Sequence, residues 1–526
     1  MQTIPDIVLG PLLGVESDTK YSVCLLANDC IHDPILSVSG HLENICIEQR
    51  LEILDKYIFY RYSFNIDPDI LEKTNQFIYS INYTSNHLPS NLFEKFWLVK
   101  TPDQNDRPSI AFVSCNGYHN SYPSYIPKNS FLGWKKINEV RPDYLILTGD
   151  QIYADSIIEK IPKLIFTEAD LIKNALKIEE FYVKLYIDSW SNKHMRKALA
   201  TIPNIMTWDD HDIIDGYGSY NDQKQKDLIP LFNIARKYYQ LFQLRSACHN
   251  KSLSETEDGV FNQYIKLRGF HCFLPDTRSN RTQKQILSSQ QYQWLENHAL
   301  NPPAEITPKQ DDEGEKLLMV LPVPIAHLDF YSFIDDVFEP VEKKSIKKLV
   351  DLVDDNIDHW DHKYHKEEQK RMMNLLFNLG EAFRIKHLII VSGDVHSAGA
   401  SSIVKMTMEK KEERFATQLI TSPIVNKPTF RLMKFTGKRN KFITDEIGYS
   451  LNNFGNLRNW LITKRNFMIV RWGSNGYHST IYMEGKKDHW ITIKDAKFHR
   501  TLNLFKESQM ERIYLKFLKW IKDLFN

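Results

Sequence analysis

Between Tyr21 and Val99, polar and apolar positions alternate in short β-branched runs, among them Tyr21-Ser-Val-Cys-Leu-Leu26, Tyr57-Ile-Phe-Tyr-Arg-Tyr62 and Phe77-Ile-Tyr-Ser-Ile-Asn82. A period of two marks half-buried strands, and a series of them predicts a small β-sandwich. The pattern stops in the turn-rich stretch from Thr101 to Pro108. After it come wholly apolar blocks at Ile110–Val113, Tyr144–Leu147, Ile205–Trp208, His271–Leu274, Leu317–Leu321 and His387–Val391, each ending in polar residues and followed by a helical stretch. Strands apolar on both faces are covered on both faces, which predicts an α/β layered fold. The expected units are an N-terminal β-sandwich over 1–107, an α/β domain over 108–500 and a C-terminal amphipathic helix over 501–526. That helix would carry Ile513, Phe517, Trp520, Ile521 and Leu524 on one face and Lys516, Lys519 and Lys522 on the other. It is expected either to dock on the protein's own core or to make a peripheral contact with an anionic membrane. The polar, proline-rich stretch from Asn301 to Glu315 predicts a surface loop.

Composition narrows the class. Of 526 residues, 42% are apolar and 25% charged, which fits a folded globular protein and excludes a largely disordered one. Sixty-seven Lys and Arg against 66 Asp and Glu leave a charge of +1, so no sequence-specific nucleic-acid partner is expected. The longest apolar stretch, Leu317 to Phe330, contains two prolines, a His and an Asp, and falls short of the roughly 20 residues that span a bilayer. No Lys or Arg precedes Lys20, so the basic start of a secretory signal is missing and a cytoplasmic location is expected. The six cysteines form no C-x-x-C pair, which argues against a disulfide framework or a zinc ribbon.

Candidate chemistry gathers at the C-terminal ends of the apolar blocks, where open α/β sheets bind ligands. Phe112-Val-Ser-Cys-Asn-Gly117 leaves Cys115 in a turn, as a buried thiol or a ligand. Gly149-Asp-Gln-Ile-Tyr153 pairs Asp150, a carboxylate able to bridge metals, with a phenol that only a strong Lewis acid ionises near neutral pH. Trp208-Asp-Asp-His-Asp212 is either an acidic turn or a ligand cluster; an EF-hand starting at Asp210 fails at Ile214, Asp215 and Asn221. Asp276-Thr-Arg-Ser-Asn-Arg281 offers Arg278, whose planar fork suits a phosphate or a salt bridge with Asp276. In Ser392-Gly-Asp-Val-His396, Asp394 and His396 are two apart and point the same way in an extended segment. His362 and His365 have the spacing of one helical turn, read as ligands or as a solvated face. A G-x-S-x-G elbow, H-E-x-x-H and a P-loop are missing.

Taken in order, Ser-Cys-Asn, Gly-Asp-x-x-Tyr, Trp-Asp-Asp-His-Asp, Asp-Thr-Arg-Ser and Ser-Gly-Asp-Val-His resemble the strand-end motifs of the PhoD-like alkaline phosphatases and phosphodiesterases, calcineurin-like metallophosphoesterases related to purple acid phosphatases. The resemblance runs from Pro108 to Gly473, and the β-rich stretch before it looks like that family's N-terminal domain. It implies a four-layer α/β/β/α metallophosphoesterase sandwich preceded by a small N-terminal β-sandwich domain. Carried over, it implies that Cys115, Tyr153 and His396 bind one metal, that Asp150 bridges, that Asp210 and Asp394 bind the second, and that His211 faces the substrate as general acid. The implied cofactors are iron at the Cys/Tyr/His end and calcium, manganese or magnesium at the carboxylate end, in keeping with donor softness. The implied activity is hydrolysis of phosphate mono- or diesters, small-molecule or lipid, by a metal-bound hydroxide, with Arg278 neutralising the phosphoryl oxygens. The alternative is a catalytically idle relative that binds phosphorylated or lipid partners through the same surface. Trp360, in Asp358-His-Trp-Asp-His362, resembles a residue at the family's active-site mouth and is expected to stack on a leaving group or to pack in the core. Lys427, Arg431, Lys434, Lys438, Arg439 and Lys441 form either an anion-attracting cluster or an exposed basic face.

Overall fold

The structure is a computed structural model that describes residues 6–495 apart from 40–44, 68, 71–73, 75, 86–87, 98–107, 118–129, 162, 246–258, 302–315, 328–356, 386, 407–412, 430–439, 445, 453–460, 474–475 and 486–489. The predicted C-terminal helix, the boundary near residue 107, most of the 301–315 loop and four of the six basic residues (Arg431, Lys434, Lys438 and Arg439) lie outside the described residues. No helix among the described residues is long and apolar enough to cross a membrane.

The six apolar blocks are strands, and they divide between two large sheets. Ser109–Val113, Tyr144–Thr148 and Asn204–Thr207 run parallel at the centre of a ten-stranded sheet. Phe270–Leu274, Lys316–Val320 and His387–Ser392 run parallel within a nine-stranded sheet, and Glu413–Ile420 continues it beside the last of them. Parallel neighbours need long crossovers. The helices Leu132–Val140, Ala175–Trp190, Lys193–Thr201, Ser289–Leu300 and Lys366–Ala382 lie in those connections.

Alternation along each strand sorts its side chains into separate cores. Ile110, Phe112, Tyr144 and Ile146 pack with Leu318, Val320, Ile389 and Val391 between the two sheets. The opposite faces, Ala111, Val113, Leu145 and Leu147, meet helix residues such as Trp134, Ile178, Tyr182 and Leu199. On the other sheet, Leu317, Met319, Leu388 and Ile390 meet Trp294, Leu295, Met372 and Leu376. Apolar material therefore stacks as helices, sheet, sheet, helices, and both sheets deliver their strand ends to one edge.

The N-terminal region is β-rich, as predicted, and the structure adds how it attaches. Ile31–Val38, Gln76–Ser85 and Leu88–Trp97 form a separate three-stranded sheet. Its apolar face packs on strands Lys20–Asn28 and Tyr57–Asn65, through Tyr79, Phe77 and Phe96 against Tyr21 and Phe64. Those latter strands are not a sheet of their own: Ile7–Val15 pairs parallel with Asn204–Thr207 and carries them onto the end of the ten-stranded sheet. One sheet of the sandwich is thus continuous with the central strands. Arg245 seals the join, donating to Asn204 Oδ1 and to the Asn204 carbonyl, both at 2.8 Å.

Candidate metal centre

Strand registers bring the chemistry-bearing loops level. Val113 lies opposite Leu147 and Thr148 opposite Thr207 in one sheet, and Val320 lies opposite Val391 in the other. Cys115, Asp150, Asp209 and Asp394 each stand two residues beyond strands that end at Val113, Thr148, Thr207 and Ser392. The loops approach so closely that a Cβ on Gly149 would sit 2.7 Å from the Asp209 Cβ, and one on Gly393 2.4 Å from Ser114 Oγ. A side chain at either glycine would hold the loops apart.

Cys115, Asp150, Asp394 and His396 have φ of 54, 57, 60 and 49°. A left-handed non-glycine residue costs about 1–3 kcal/mol, and such strain concentrates at functional sites. Asp212 holds part of it in place. Its buried carboxylate accepts from the backbone N–H groups of Asp150 (2.9 Å), Gln151 (3.0 Å), Ile152 (3.2 Å) and Asp209 (2.9 Å). Burial pushes Asp212 up to about 6, with those N–H groups pulling the other way. Asp212 is therefore the post around which the Asp150 and Asp209 loops fold.

The donor atoms converge. Tyr153 Oη lies 3.2 Å from Asp150 Oδ2 and 3.2 Å from His396 Nε2, and Cys115 Sγ lies 3.4 Å from Asp150 Oδ2. Three overlapping groups each have their ligand atoms within 4.8 Å of one another: Cys115, Asp150 and His396; Asp150, Asp210 and His211; Asp209, Asp210 and Asp394. Asp150 links the first pair of groups and Asp210 the second. Asp209 was not singled out in the sequence, although it shares the two-residue offset of Cys115, Asp150 and Asp394.

This donor set fits cations. Burial raises the Cys115 thiol and the Tyr153 phenol well above their ordinary ranges, and the neighbouring Asp150 carboxylate adds to both shifts. Asp150 is itself raised by burial and by Asp210, Asp209 and Asp212, against the pull of His211. Asp394 is raised by burial and then by Asp209 and Asp210. Asp150 Oδ1 and Asp209 Oδ2 are buried without a hydrogen-bond partner among the described residues. Buried carboxylates this crowded are stabilised by positive charge, and bound metal ions reverse the same pKa shifts.

His211, a member of the second group, is also held by contacts of its own. Its ring stacks on Tyr153 with centroids 4.3 Å apart, and its Nδ1 lies 2.9 Å from Asp155 Oδ2. The other Asp155 oxygen accepts from the Asp215 N–H at 2.6 Å. Burial disfavours the charged ring, yet Asp155, Asp210 and Asp150 together raise its pKa. Asp155 carried no distinguishing signal in the sequence, because its partner lies 56 residues away.

Arg278 differs from the expectation. It is fully buried, and its five N–H groups meet five acceptors: Asp209 Oδ1 from Nε, the Tyr217 carbonyl (3.0 Å) and Asp358 Oδ1 (2.7 Å) from Nη1, and Asp358 Oδ2 (2.6 Å) and Asp210 Oδ1 (3.5 Å) from Nη2. Nothing is left to clamp a phosphoryl group, so its task is to hold Asp209 and Asp210. Its salt bridge is not with Asp276, which instead accepts from Trp208 Nε1 at 2.8 Å and the Phe261 N–H at 2.9 Å. Trp360 is wholly buried in the hydrophobic cluster that also holds Val323, Ile325 and Met372, not placed as a stacking surface. His365 has its ring nitrogens against the carbonyls of His359 (3.0 Å) and Gln283 (3.2 Å), which gives it a structural place.

The chain is similar to several known proteins. The family model described as PhoD related phosphatase matches residues 135–343. An uncharacterized protein of Saccharomyces cerevisiae, YGR266W, is 26% identical over an alignment of 444 residues that covers 70% of this chain and 60% of the relative. The chain thus spans about 60% of the length of that curated relative. A solved structure of PhoD superimposes with a TM-score of 0.59 at 14% sequence identity, covering 99% of both chains.

Proposed function

From a chain that is PhoD-like, in sequence over 135–343 and in fold along its length, we propose a metal-dependent phosphoesterase that hydrolyses phosphate mono- or diesters. The observation that carries this reading is the convergence of Cys115, Asp150, Tyr153, Asp209, Asp210, Asp394 and His396, from the strand ends of two sheets, into ligand groups that share Asp150 and Asp210. Cys115, Tyr153 and His396 would hold one cation, whose thiolate, phenolate and imidazole donors suit iron. Asp209, Asp210 and Asp394 would hold another with carboxylates alone, which suits calcium, magnesium or manganese. Bound there, the metals would supply the acidity that ionises water and the charge that neutralises a phosphoryl group.

The protein's own residues do the rest. Asp150 spans both ends, and the Asp212 carboxylate fixes its loop. Arg278 and Asp358 hold Asp209 and Asp210 in register. His211, with Nδ1 anchored on Asp155, presents its other ring nitrogen to deliver a proton to the leaving alkoxide.

The test is elemental analysis of protein purified without chelator, beside Asp150→Ala, with p-nitrophenyl phosphate and bis-p-nitrophenyl phosphate as substrates. The reading requires stoichiometric iron with a second metal in the wild type, and loss of both metal and hydrolysis in the variant. Equal trace metal in both proteins, with no turnover, would sink it.

A further inference from the structure

With Arg278 committed to carboxylates, the phosphoesterase reading, on which this inference rests, needs another protein donor for the phosphoryl oxygens. The segment after Glu413–Ile420 supplies one. Ser114 O accepts from the Ile424 N–H at 3.0 Å, and Cys115 O from the Asn426 N–H at 3.1 Å. Three residues on, the Thr429 N–H donates to His396 O at 2.8 Å. The segment therefore lies along the Cys115 and His396 loops together, across the end of the site that carries thiol, phenol and imidazole.

Asn426 is a buried polar side chain on this segment, 3% exposed. Its Oδ1 accepts from the Lys427 N–H at 2.6 Å, which identifies the oxygen and fixes the plane of the amide. Its carbonyl accepts from Arg465 Nε at 3.1 Å, so the backbone is held too. What remains is Nδ2, buried and without a hydrogen-bond partner of good geometry among the described residues, close to the Tyr153 phenol on the segment that lies along the Cys115 and His396 loops. An amide donor held rigid and unpaired is unfavourable in a core, and is retained where something else completes it.

We propose that Asn426 Nδ2 is a substrate-binding donor to a phosphoryl oxygen lodged at the Cys115, Tyr153 and His396 end of the site. The ligand class is a tetrahedral phosphoryl anion: a phosphate monoester or diester before reaction, and inorganic phosphate after it. The acceptor is anionic, so the hydrogen bond is of the charge-assisted kind, and losing it weakens binding by about ten- to a hundredfold.

The experiment uses the full chain with its metals and inorganic phosphate as probe, measured by calorimetry. Asn426→Asp keeps the shape and the acceptor for the Lys427 N–H but puts an oxygen where Nδ2 stood; Asn426→Ser is the second variant. The expected result is phosphate affinity lowered by about tenfold or more in both variants, with wild-type metal content and visible absorption, and with KM for p-nitrophenyl phosphate rising more than kcat falls. Wild-type phosphate affinity in either metal-loaded variant overturns the assignment, as does a shift of absorption alone, which would mean that the amide serves only the phenol. Loss of phosphate binding that merely follows loss of metal in both variants also overturns it, since the role would then be structural. A wild type that hydrolyses while the variants bind phosphate normally condemns Asn426 alone. A wild type that neither binds phosphate nor turns over condemns the phosphoesterase reading and this inference with it.

Discussion

Metal loading should expel protons from two particular side chains, and the count can be worked from the site. Burial and the Asp150 charge raise Cys115 above a thiol's ordinary 9.0 and Tyr153 above a phenol's ordinary 10.0. At pH 7.5 a thiol with a pKa of 9 or more is ionised to less than about 4%, and such a phenol to less than about 1%. Both therefore carry a full proton in the metal-free protein, and both must lose it to become ligands. Each coordinated residue contributes close to one released proton, so the metal-free chain binding its cation at the Cys115, Tyr153 and His396 end should release about two from this pair. Raised Asp150 and Asp394 can only add to that number. The assay is calorimetric titration of the chelator-treated protein with metal in buffers of different ionisation enthalpy, which yields protons released per metal bound. Tyr153→Phe should lower the count by one and abolish any visible band from a phenolate on ferric iron; Cys115→Ser should lower it by one and leave the band. A wild-type count unchanged by Tyr153→Phe, at full metal occupancy, would refute the placement of the phenol at the metal.

Three further outcomes follow from the same contacts. Asp155→Asn should leave metal content and KM near wild type and lower kcat by at least about tenfold, since it frees the His211 ring, and His211→Ala should lower it by about 10²- to 10⁴-fold; steady-state kinetics on a nitrophenyl phosphate decides. Asp358→Asn removes the negative charge shared by Arg278 and Arg281, which hold that carboxyl well below its usual range despite burial, and should cost about 3–5 kcal/mol in urea unfolding. A loss under about 1 kcal/mol would mean that the buried charges find other partners. Burial, with Arg281 adding, depresses His365 in the folded state to about 4 from 6.5. The unfolded chain takes up that proton first as pH falls, so stability is full above about pH 6.5 and lost towards pH 4, by about 1.4 kcal/mol per pH unit from this residue. His365→Gln should remove that slope from urea melts taken at pH 7, 6 and 5.

Much of the candidate ligand set is legible in the sequence because it obeys a local rule. Strands buried on both faces are largely apolar, so the residues just past Val113, Thr148 and Ser392 stand out, and the structure brings Cys115, Asp150 and Asp394 from those positions into overlapping candidate ligand groups. Within Trp208-Asp-Asp-His-Asp212 the same rule was too coarse. Asp209 and Asp210 face the ligand groups, while Asp212 turns back to gather four backbone N–H groups. Neighbouring aspartates are identical in composition and differ only in the direction their backbone gives them.

The amino-acid sequence alone determined which segments become buried strands, and hence where polar residues must collect, because burial on two faces is a property of a few consecutive side chains. The tertiary structure decided what those residues do to one another. Arg278 reads as a phosphate clamp until Asp358, 80 residues away, takes two of its N–H groups. His211 reads as one member of an acidic cluster until Asp155 anchors it from 56 residues away. The N-terminal sandwich reads as a separate unit until Gly14 meets Asn204 and one of its sheets continues into the central one. Hydrogen bonds and charges act over a few ångströms of space, whatever the separation along the chain, so pairings of this kind exist only once the sheets have closed on each other.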